Sequence, residues 1–299
     1  MTDGIETTPQ PIGPGESELA APSRWRTALR NPRILIGGSI VLLLVLVAIL
    51  APYLAPFDPY KIAVGKRLIA PTATYLFGTD EFGRDILSRV IYGAKLTLYV
   101  GFVAVGIGLL SGVAIGTLAG YAGGWVQAVL MRGIDFLYTF PDILIALGLV
   151  AFLGPSLTNA MIAVGISVIP YYARVTYGVV LVERHKPYLE AGQVIGASHW
   201  RLITRHLIPN IIPALIVVST LGFSAAVLSA AALSYLGLGS QPPDPEWGSM
   251  LASGRNYITR SPWILLFPGM AIIVTVLAFN ILGDGIRDLL DPRQRREVR

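Results

Sequence analysis

The sequence predicts an all-α integral membrane protein with six transmembrane helices. Of its 299 residues, 54% are hydrophobic and only 14% are charged, against a charged share of about 25% in soluble globular domains. The apolar residues fall in long runs, several of which reach the roughly 20 residues that suffice to cross a bilayer. The chain has no cysteine, which excludes disulfides, thiolate metal sites and cysteine nucleophiles.

Six apolar runs lie between two polar tails. Residues 1–33 are predicted to form a disordered cytoplasmic tail that becomes basic next to the first span, and nothing in it resembles a cleavable signal. Residues 34–290 form the membrane domain, and residues 291–299 form a basic cytoplasmic tail. The predicted spans are, in order, about 34–54, 96–119, 134–153, 157–180, 211–236 and 263–282.

The distribution of lysine and arginine predicts the orientation of the spans. Four arginines between positions 24 and 33 precede the first span, and positive charge beside a span marks its cytoplasmic end. With both termini in the cytoplasm, fifteen lysine and arginine residues fall on the cytoplasmic side and eight fall outside. Residues 56–95 and 237–262 are then outside, and residues 121–132 are predicted to be a cytoplasmic link.

The first outside segment carries a crowded group of charges. Asp80 is predicted to cap a surface helix that has Phe82, Ile86 and Val90 on one side. Its neighbouring carboxylates also allow a metal site, although helix capping and solvated charge are the simpler interpretation. The three carboxylates are those of Asp80, Glu81 and Asp85.

The second span carries a glycine at every fourth position. Such a stripe lies on one face of a helix and lets a second helix backbone approach closely. We therefore expect a role in helix packing rather than in ligand binding. The four glycines are Gly108, Gly112, Gly116 and Gly120.

Few charges lie inside the predicted spans, and they define an alternative function. Asp135, Asp142 and Arg174 could form the centre of an intramembrane enzyme. Arg174 could instead contact a transported solute or extend to the cytoplasmic surface. The chain has no HExxH motif, no GxSxG elbow and no Walker A loop, so no catalytic residue and no ATP site are assigned.

Residues 184–208 form a polar interruption between two apolar runs. Glu190 suits a helix start, and Ala191, Val194 and Ile195 form an apolar stripe. Gly196 breaks the pattern, as a helix end or a point of close approach. Ser198 can cap a second short helix, with an apolar side predicted at Trp200, Ile203 and Leu207 and an end at Pro209. An amphipathic surface loop of any membrane protein would share these features.

Six residues of this region recur at a spacing known from one family: Glu190, Ala191, Gly192, Gly196, Ile208 and Pro209. In that spacing the segment resembles the EAA loop of ABC importer permeases, a cytoplasmic coupling helix that fits a groove on an ATPase subunit. The family pattern has alanine at Gly192, isoleucine at His206 and leucine at Ile208. The resemblance assigns ATPase coupling to Glu190, Ala191, Gly192, Ile195, Gly196, Ala197 and Pro209.

Three further stretches are similar to the C-type permeases of the dipeptide and oligopeptide branch. They are His206–Asn210, the phrase from Gly78 to Asp85, and the proline-bounded loop GLGSQPPDPEWGSML. The resemblance implies the type I ABC importer fold and a pore for peptides. Importers of nickel, glutathione or another small solute share this permease type and stay open as alternatives.

The same resemblance implies the partners. This chain would pair with a second, homologous permease in a bacterial cytoplasmic membrane, among its lipids and without nucleic acid. Two ATPases would bind ATP and Mg, so that this chain needs no cofactor or metal of its own, and an extracytoplasmic binding protein would deliver the solute. Ser224 and Ser229 on the fifth span are the candidates to line the solute path.

Overall fold

The computed structural model describes residues 31–290, so the predicted tails lie outside the described residues except for positions 31–33. Within this range the chain is helical, with one isolated antiparallel bridge between Thr79 and Asp85. The helices are α1 Pro32–Ile49, α2 Ala51–Leu54, α3 Ile86–Ala122, α4 Gly124–Tyr138, α5 Asp142–Leu153, α6 Leu157–Ser167, α7 Ile169–Glu183, α8 Pro187–Val194, α9 His199–Arg201, α10 Ile208–Tyr235, α11 Trp247–Gly254 and α12 Trp263–Leu290. A π-helical segment, Leu202–Leu207, joins α9 to α10.

Within residues 31–290, five helical units are long and apolar enough to cross a membrane. They are α1, α3, the pair α6–α7, the continuous helix His199–Tyr235, and α12. A sixth crossing exists only if α4 and α5, which meet at an angle of 87°, count as one broken span. Six crossings are therefore compatible with the structure, but one of them is not a straight helix.

The predicted third span, 134–153, is wrong as a single helix. Proline at 141 has no N–H to donate and disfavours helical geometry at the residue before it, so α4 ends at Tyr138 and α5 begins at Asp142. The predicted link at 121–132 is also helical, because α4 starts at Gly124, directly after the left-handed Gly123 (φ +68°).

The second crossing is longer than predicted. Its 37 residues extend for about 55 Å at 1.5 Å per residue, beyond a hydrocarbon core of about 30 Å. Asp85 caps α3 by accepting a hydrogen bond from Ser88 N at 2.8 Å. The prediction that Asp80 caps a separate surface helix is therefore wrong, because the predicted surface helix is the first part of α3.

The carboxylates of Asp80 and Asp85 are buried rather than solvated. The Asp80 carboxylate accepts a hydrogen bond from Arg84 Nε at 2.6 Å and lies 3.7 Å from Arg89 Nε. Arg89 also joins the segment to the second predicted outside loop, since its Nη1 donates to Pro59 O at 2.9 Å and to Pro243 O at 3.2 Å. Residues 55–85 and 237–262 thus form one packed unit at one end of the bundle.

Helix α3 lies at the centre of the bundle and contacts α1, α6, α7 and α10. All four of its striped glycines are buried. A Cβ added at Gly112 would lie 2.8 Å from Ala173 N, and one at Gly116 would lie 2.5 Å from Ala173 O. The stripe therefore faces the backbone of α7 at a distance that permits no larger residue.

Candidate functional site

The first candidate site is the loop of α8, the turn after it, α9 and the π-helical segment. Gly196 has φ +78° and follows the end of α8, where Ala197 N donates to Gly192 O and Gly196 N donates to Gln193 O, both at 3.0 Å. This is the glycine-dependent C-terminal motif of helices. Ser198 caps α9 by accepting a hydrogen bond from Arg201 N at 3.4 Å, as the sequence predicts.

The inner face of this loop is fixed to the bundle. Leu189, Leu202 and Leu207 are almost fully buried in one cluster with residues of α7 and α10. A Cβ added at Gly192 would lie 2.6 Å from Leu202 Cδ2, so a glycine at that position allows the helices to pack closely.

Two hydrogen bonds hold the loop at its edges. The Tyr188 hydroxyl donates to Glu183 Oε1 at 2.6 Å, and the Tyr121 hydroxyl lies 2.8 Å from His199 Nδ1. Burial and the adjacent Glu183 carboxylate raise the pKa of Tyr188 to about 12. Tyr188 therefore stays a neutral donor at physiological pH, and the loop has a fixed position on the bundle.

The outer face of the loop is apolar and uncovered. Val194 is 87% exposed, Ile195 is 83% exposed and Trp200 is 75% exposed. Glu190 is also exposed and forms no salt bridge with any residue between 31 and 290. Large apolar side chains grouped on a polar loop are typical of a surface that binds another protein.

Two predictions about the second half of the loop are wrong. Pro209 does not end a helix, because it lies in the first turn of α10, where its missing N–H is tolerated. Trp200 and Leu207 do not share an apolar side either, since Trp200 is exposed and Leu207 is buried. The wider π-helical turns between them change the register. The loop therefore continues without interruption into α10.

The second candidate site is a cavity of about 650 Å³ at the break between α4 and α5. Its lining comes from the break itself, from the junction of α6 and α7, and from the middle of α10, which contributes Leu221, Gly222 and Ala225. Tyr138, Phe140 and Tyr171 supply aromatic walls, and Asp142 supplies a carboxylate.

The intramembrane charges separate into two groups. Arg174 forms an ion pair with Asp135, and its guanidinium lies 5.5 Å from the centre of the Tyr138 ring. Asp142 takes part in no ion pair within the described range. The three charges proposed for an enzyme centre therefore do not converge, and Arg174 extends to a carboxylate.

The two predicted path serines lie apart from the cavity. Ser224 is buried and donates to Val276 O at 3.1 Å, between α10 and α12, while Ser229 is half-buried further along α10. Neither side chain lines the cavity. Sequence reasoning missed the cavity walls, and the signal that could have revealed them was Pro141 inside an apolar run.

Comparison with known proteins identifies families that match the chain and proteins that are similar to it. Residues 112–296 match the family described as binding-protein-dependent transport system inner membrane component, and residues 23–71 match the N-terminal TM domain of oligopeptide transport permease C. The chain is 43% identical to the dipeptide transport system permease protein of Alkalihalophilus pseudofirmus over 96% of each chain. It is 44% identical to the di/tripeptide transport system permease protein of Pseudomonas aeruginosa, over 90% of this chain and 91% of that one.

One further relative and one solved structure are also similar to the chain. The glutathione transport system permease protein of Pectobacterium atrosepticum is 40% identical over 90% of each chain. Among solved structures, the chain is similar to the inward facing MetNI methionine ABC transporter, with a TM-score of 0.58 and 19% identity over 69% of this chain and 98% of that chain. At this identity the likeness shows the fold alone, which is that of a type I ABC importer permease.

Proposed function

We propose that this chain, which belongs to the family of binding-protein-dependent transport system inner membrane components, forms half of the pore of an ATP-driven importer of di- or oligopeptides. Relatives named for dipeptide and di/tripeptide transport, each more than 40% identical, support the peptide substrate. Glutathione is the second candidate, because a permease named for its transport is 40% identical to this chain.

The observation that carries the proposal is the uncovered apolar face of Val194, Ile195 and Trp200 on a loop whose other face is fixed. A membrane subunit without a phosphate-binding loop must receive the work of ATP hydrolysis through contact with another protein. The resemblance of this loop to the EAA loop supports an ATPase groove as its binding partner. Glu190, exposed beside the apolar face, would contact the rim of that groove.

The proposed orientation follows from the loop. If it contacts an ATPase, then it lies in the cytoplasm, and both termini lie on the same side. The packed unit of residues 55–85 and 237–262 then faces a binding protein outside the cell. A second, homologous permease completes the pore, and two ATPases hold ATP and Mg. The membrane is the bacterial cytoplasmic membrane in which such transport systems operate.

The mechanism is alternating access. When the two ATPases bind ATP and close, they move the docked loops, and the pore opens toward the binding protein. Hydrolysis of ATP then restores the starting state of the pore. Because α9, the π-helical segment and α10 form one continuous helix from His199 to Tyr235, a displacement of the loop reaches the middle of the membrane directly. Gly196 and Ala197 would form the hinge of the docked loop, and Pro209 would begin the helix that carries the movement.

Protection of a single thiol tests the proposal. In the cysteine-free chain, Ile195→Cys introduces one exposed thiol on the proposed docking face. We expect a water-soluble maleimide to label it rapidly in the isolated permease and at least tenfold more slowly after assembly with the ATPases. Arg287→Cys, exposed at the last turn of α12, is the control whose labelling should not change. Equal labelling of Ile195→Cys in both states, with ATP-dependent peptide uptake intact, would exclude this loop as the ATPase contact.

A further inference from the structure

The break between α4 and α5 leaves backbone acceptors at the edge of the cavity. In a continuous helix, the carbonyls of Tyr138, Thr139 and Phe140 would accept hydrogen bonds from residues four positions later. Here Leu144 N donates to Pro141 O and Ile143 N donates to Asp142 Oδ1. No donor for these three carbonyls is found within residues 31–290.

Three helices independently place the cavity near the middle of the membrane. α5 rises for about 18 Å from Asp142 to its end at Leu153, at 1.5 Å per residue. Gly222 lies about 20 Å from each end of α10. The junction of α6 and α7 lies about 16 Å below the start of α6. With a hydrocarbon core of about 30 Å, these distances place the cavity near its midplane.

Asp142 is the unusual group at this depth. Asp142 is exposed and lines the cavity, and the one hydrogen bond found for its carboxylate within the described residues comes from Ile143 N at 2.8 Å. An unpaired carboxylate is costly in hydrocarbon, so intramembrane acids occur at solute or ion pathways. The neighbouring Asp135 provides the contrast, because it is paired with Arg174.

Tyr172 forms part of the cavity wall. The Tyr172 side chain is 1% exposed, and its hydroxyl forms no hydrogen bond with any described residue. It lies against Gly222, which also lines the cavity, while Ser219, one turn earlier, donates its own proton to Leu215 O. Because this hydroxyl is buried, Tyr172 shapes the cavity wall near Gly222 rather than offering a polar group to a ligand.

The one charged side chain among the residues that line the cavity is the carboxylate of Asp142. The other polar groups are the three carbonyls and the hydroxyls of Tyr138, Thr139, Ser167 and Tyr171, and no lysine, arginine or histidine lines the wall. Tyr171 offers a ring face, which attracts cations, while the Tyr138 ring already faces the Arg174 guanidinium. Discontinuous helices bind ions and charged solute groups in the same way in other transporters. The ligand that fits is a cationic group with several N–H donors.

We propose that this cavity is a transit site that binds the protonated amino terminus of the peptide through the Asp142 carboxylate, an inference that rests on the proposed function. The terminal ammonium is common to peptides of any sequence, while the aromatic and aliphatic wall accepts varied side chains. A volume of about 650 Å³ lies within the roughly 300–1,000 Å³ that holds small ligands. Asp142 therefore gives this subunit a preference of its own for peptides with a free amino terminus.

The experiment compares uptake of alanyl-alanine and N-acetyl-alanyl-alanine, both at saturating concentration, by the complete reconstituted transporter. One binding protein serves every variant, so a change in the uptake ratio belongs to the membrane subunit. We expect Asp142→Asn to lower uptake of alanyl-alanine at least tenfold and to bring the ratio close to one, and Asp142→Glu to restore most of the preference. Asp284→Asn, which changes an exposed carboxylate in α12, should leave both rates unchanged.

The outcomes separate the two proposals. If the unsubstituted transporter imports neither peptide, then the proposed function fails. If it imports alanyl-alanine and Asp142→Asn leaves the uptake ratio unchanged, then the transit site is wrong while the function stands. If Asp142→Asn does not assemble, Gly222→Ala decides: its added methyl group would displace the Tyr172 hydroxyl and should lower alanyl-alanine uptake, whereas normal uptake and ratio would overturn the site.

Discussion

Single glycines on α3 determine whether α7 can pack closely against it. Gly112 faces the α7 backbone, where a methyl group added to it would lie 2.8 Å from Ala173 N, whereas a methyl group added to Gly106 on the same helix would have no neighbour within 4 Å. Alanine normally stabilises a helix by about 0.5–1 kcal/mol relative to glycine. We therefore expect Gly112→Ala to lower the thermal midpoint of the purified subunit and Gly106→Ala to leave it unchanged or raise it. Equal midpoints for the two variants would contradict close packing at Gly112.

The glycine stripe shows what residue patterns can predict. Its four-residue period predicts a packing face, and the structure buries all four glycines. The period does not say which helix packs there, since that depends on how α6 and α7 return across the membrane. Likewise, Asp80 and Asp85 have the same capping chemistry, and the choice between them depends on Arg84 and Arg89, whose positions are set by the tertiary fold.

At the scale of elements, the packed unit of residues 55–85 and 237–262 depends on the buried charges of Asp80, Arg84 and Arg89. Asp80→Asn keeps an oxygen for the backbone donors but removes the charge that faces Arg84 and Arg89. Breaking a buried pair costs about 3–5 kcal/mol because it leaves a buried charge uncompensated. We expect this variant to expose the segment to limited proteolysis, while Asp58→Asn, at an exposed carboxylate, should not. Unchanged protease resistance of Asp80→Asn would show that the pair does not hold the segment.

Two prolines explain where the predicted helix boundaries differ from the structure. A sequence pattern records Pro141 and Pro209 alike as helix-breaking residues. In the structure Pro141 separates α4 from α5 at 87°, whereas Pro209 occupies the first turn of α10 and leaves the helix continuous. The difference arises from neighbouring structure, because π-helical turns precede Pro209 and unwound residues precede Pro141. In the sequence Pro141 signals a break, but the cavity beside it depends on how the neighbouring helices pack around that break.

At the scale of the whole molecule, α10 and α7 both connect the docking loop, residues 184–208, to the cavity. α10 carries Leu221, Gly222 and Ala225 on the cavity wall, and it continues from the loop through the π-helical segment. α7 also joins the two sites along the chain, because Pro170, Tyr171 and Tyr172 in its first turn line the cavity and Glu183 at its end precedes the loop. The two sites that the sequence and the structure identify separately are therefore mechanically connected, and a movement at one should be measurable at the other.

A cysteine pair across the cavity tests this connection. Ile145 on α5 and Ala225 on α10 both line it, and a cysteine at each would give the chain its two thiols. In the complete transporter, we expect the yield of cross-linking by a short bifunctional maleimide to differ at least threefold between the nucleotide-free state and the state trapped with ATP and vanadate. The difference requires the loop to move with the ATPases and α10 to move with the loop.

Two variants of Gly196, made in the same double-cysteine chain, test whether the loop transmits the movement. Gly196 has φ +78° in open space, a conformation that asparagine tolerates and tryptophan does not. Gly196→Trp should therefore distort the docking face and abolish the nucleotide dependence of the cross-link, with ATP hydrolysis continuing without peptide uptake, whereas Gly196→Asn should retain both. A cross-link that responds to nucleotide equally in the tryptophan variant would mean that ATPase movement reaches the cavity by another route than this loop.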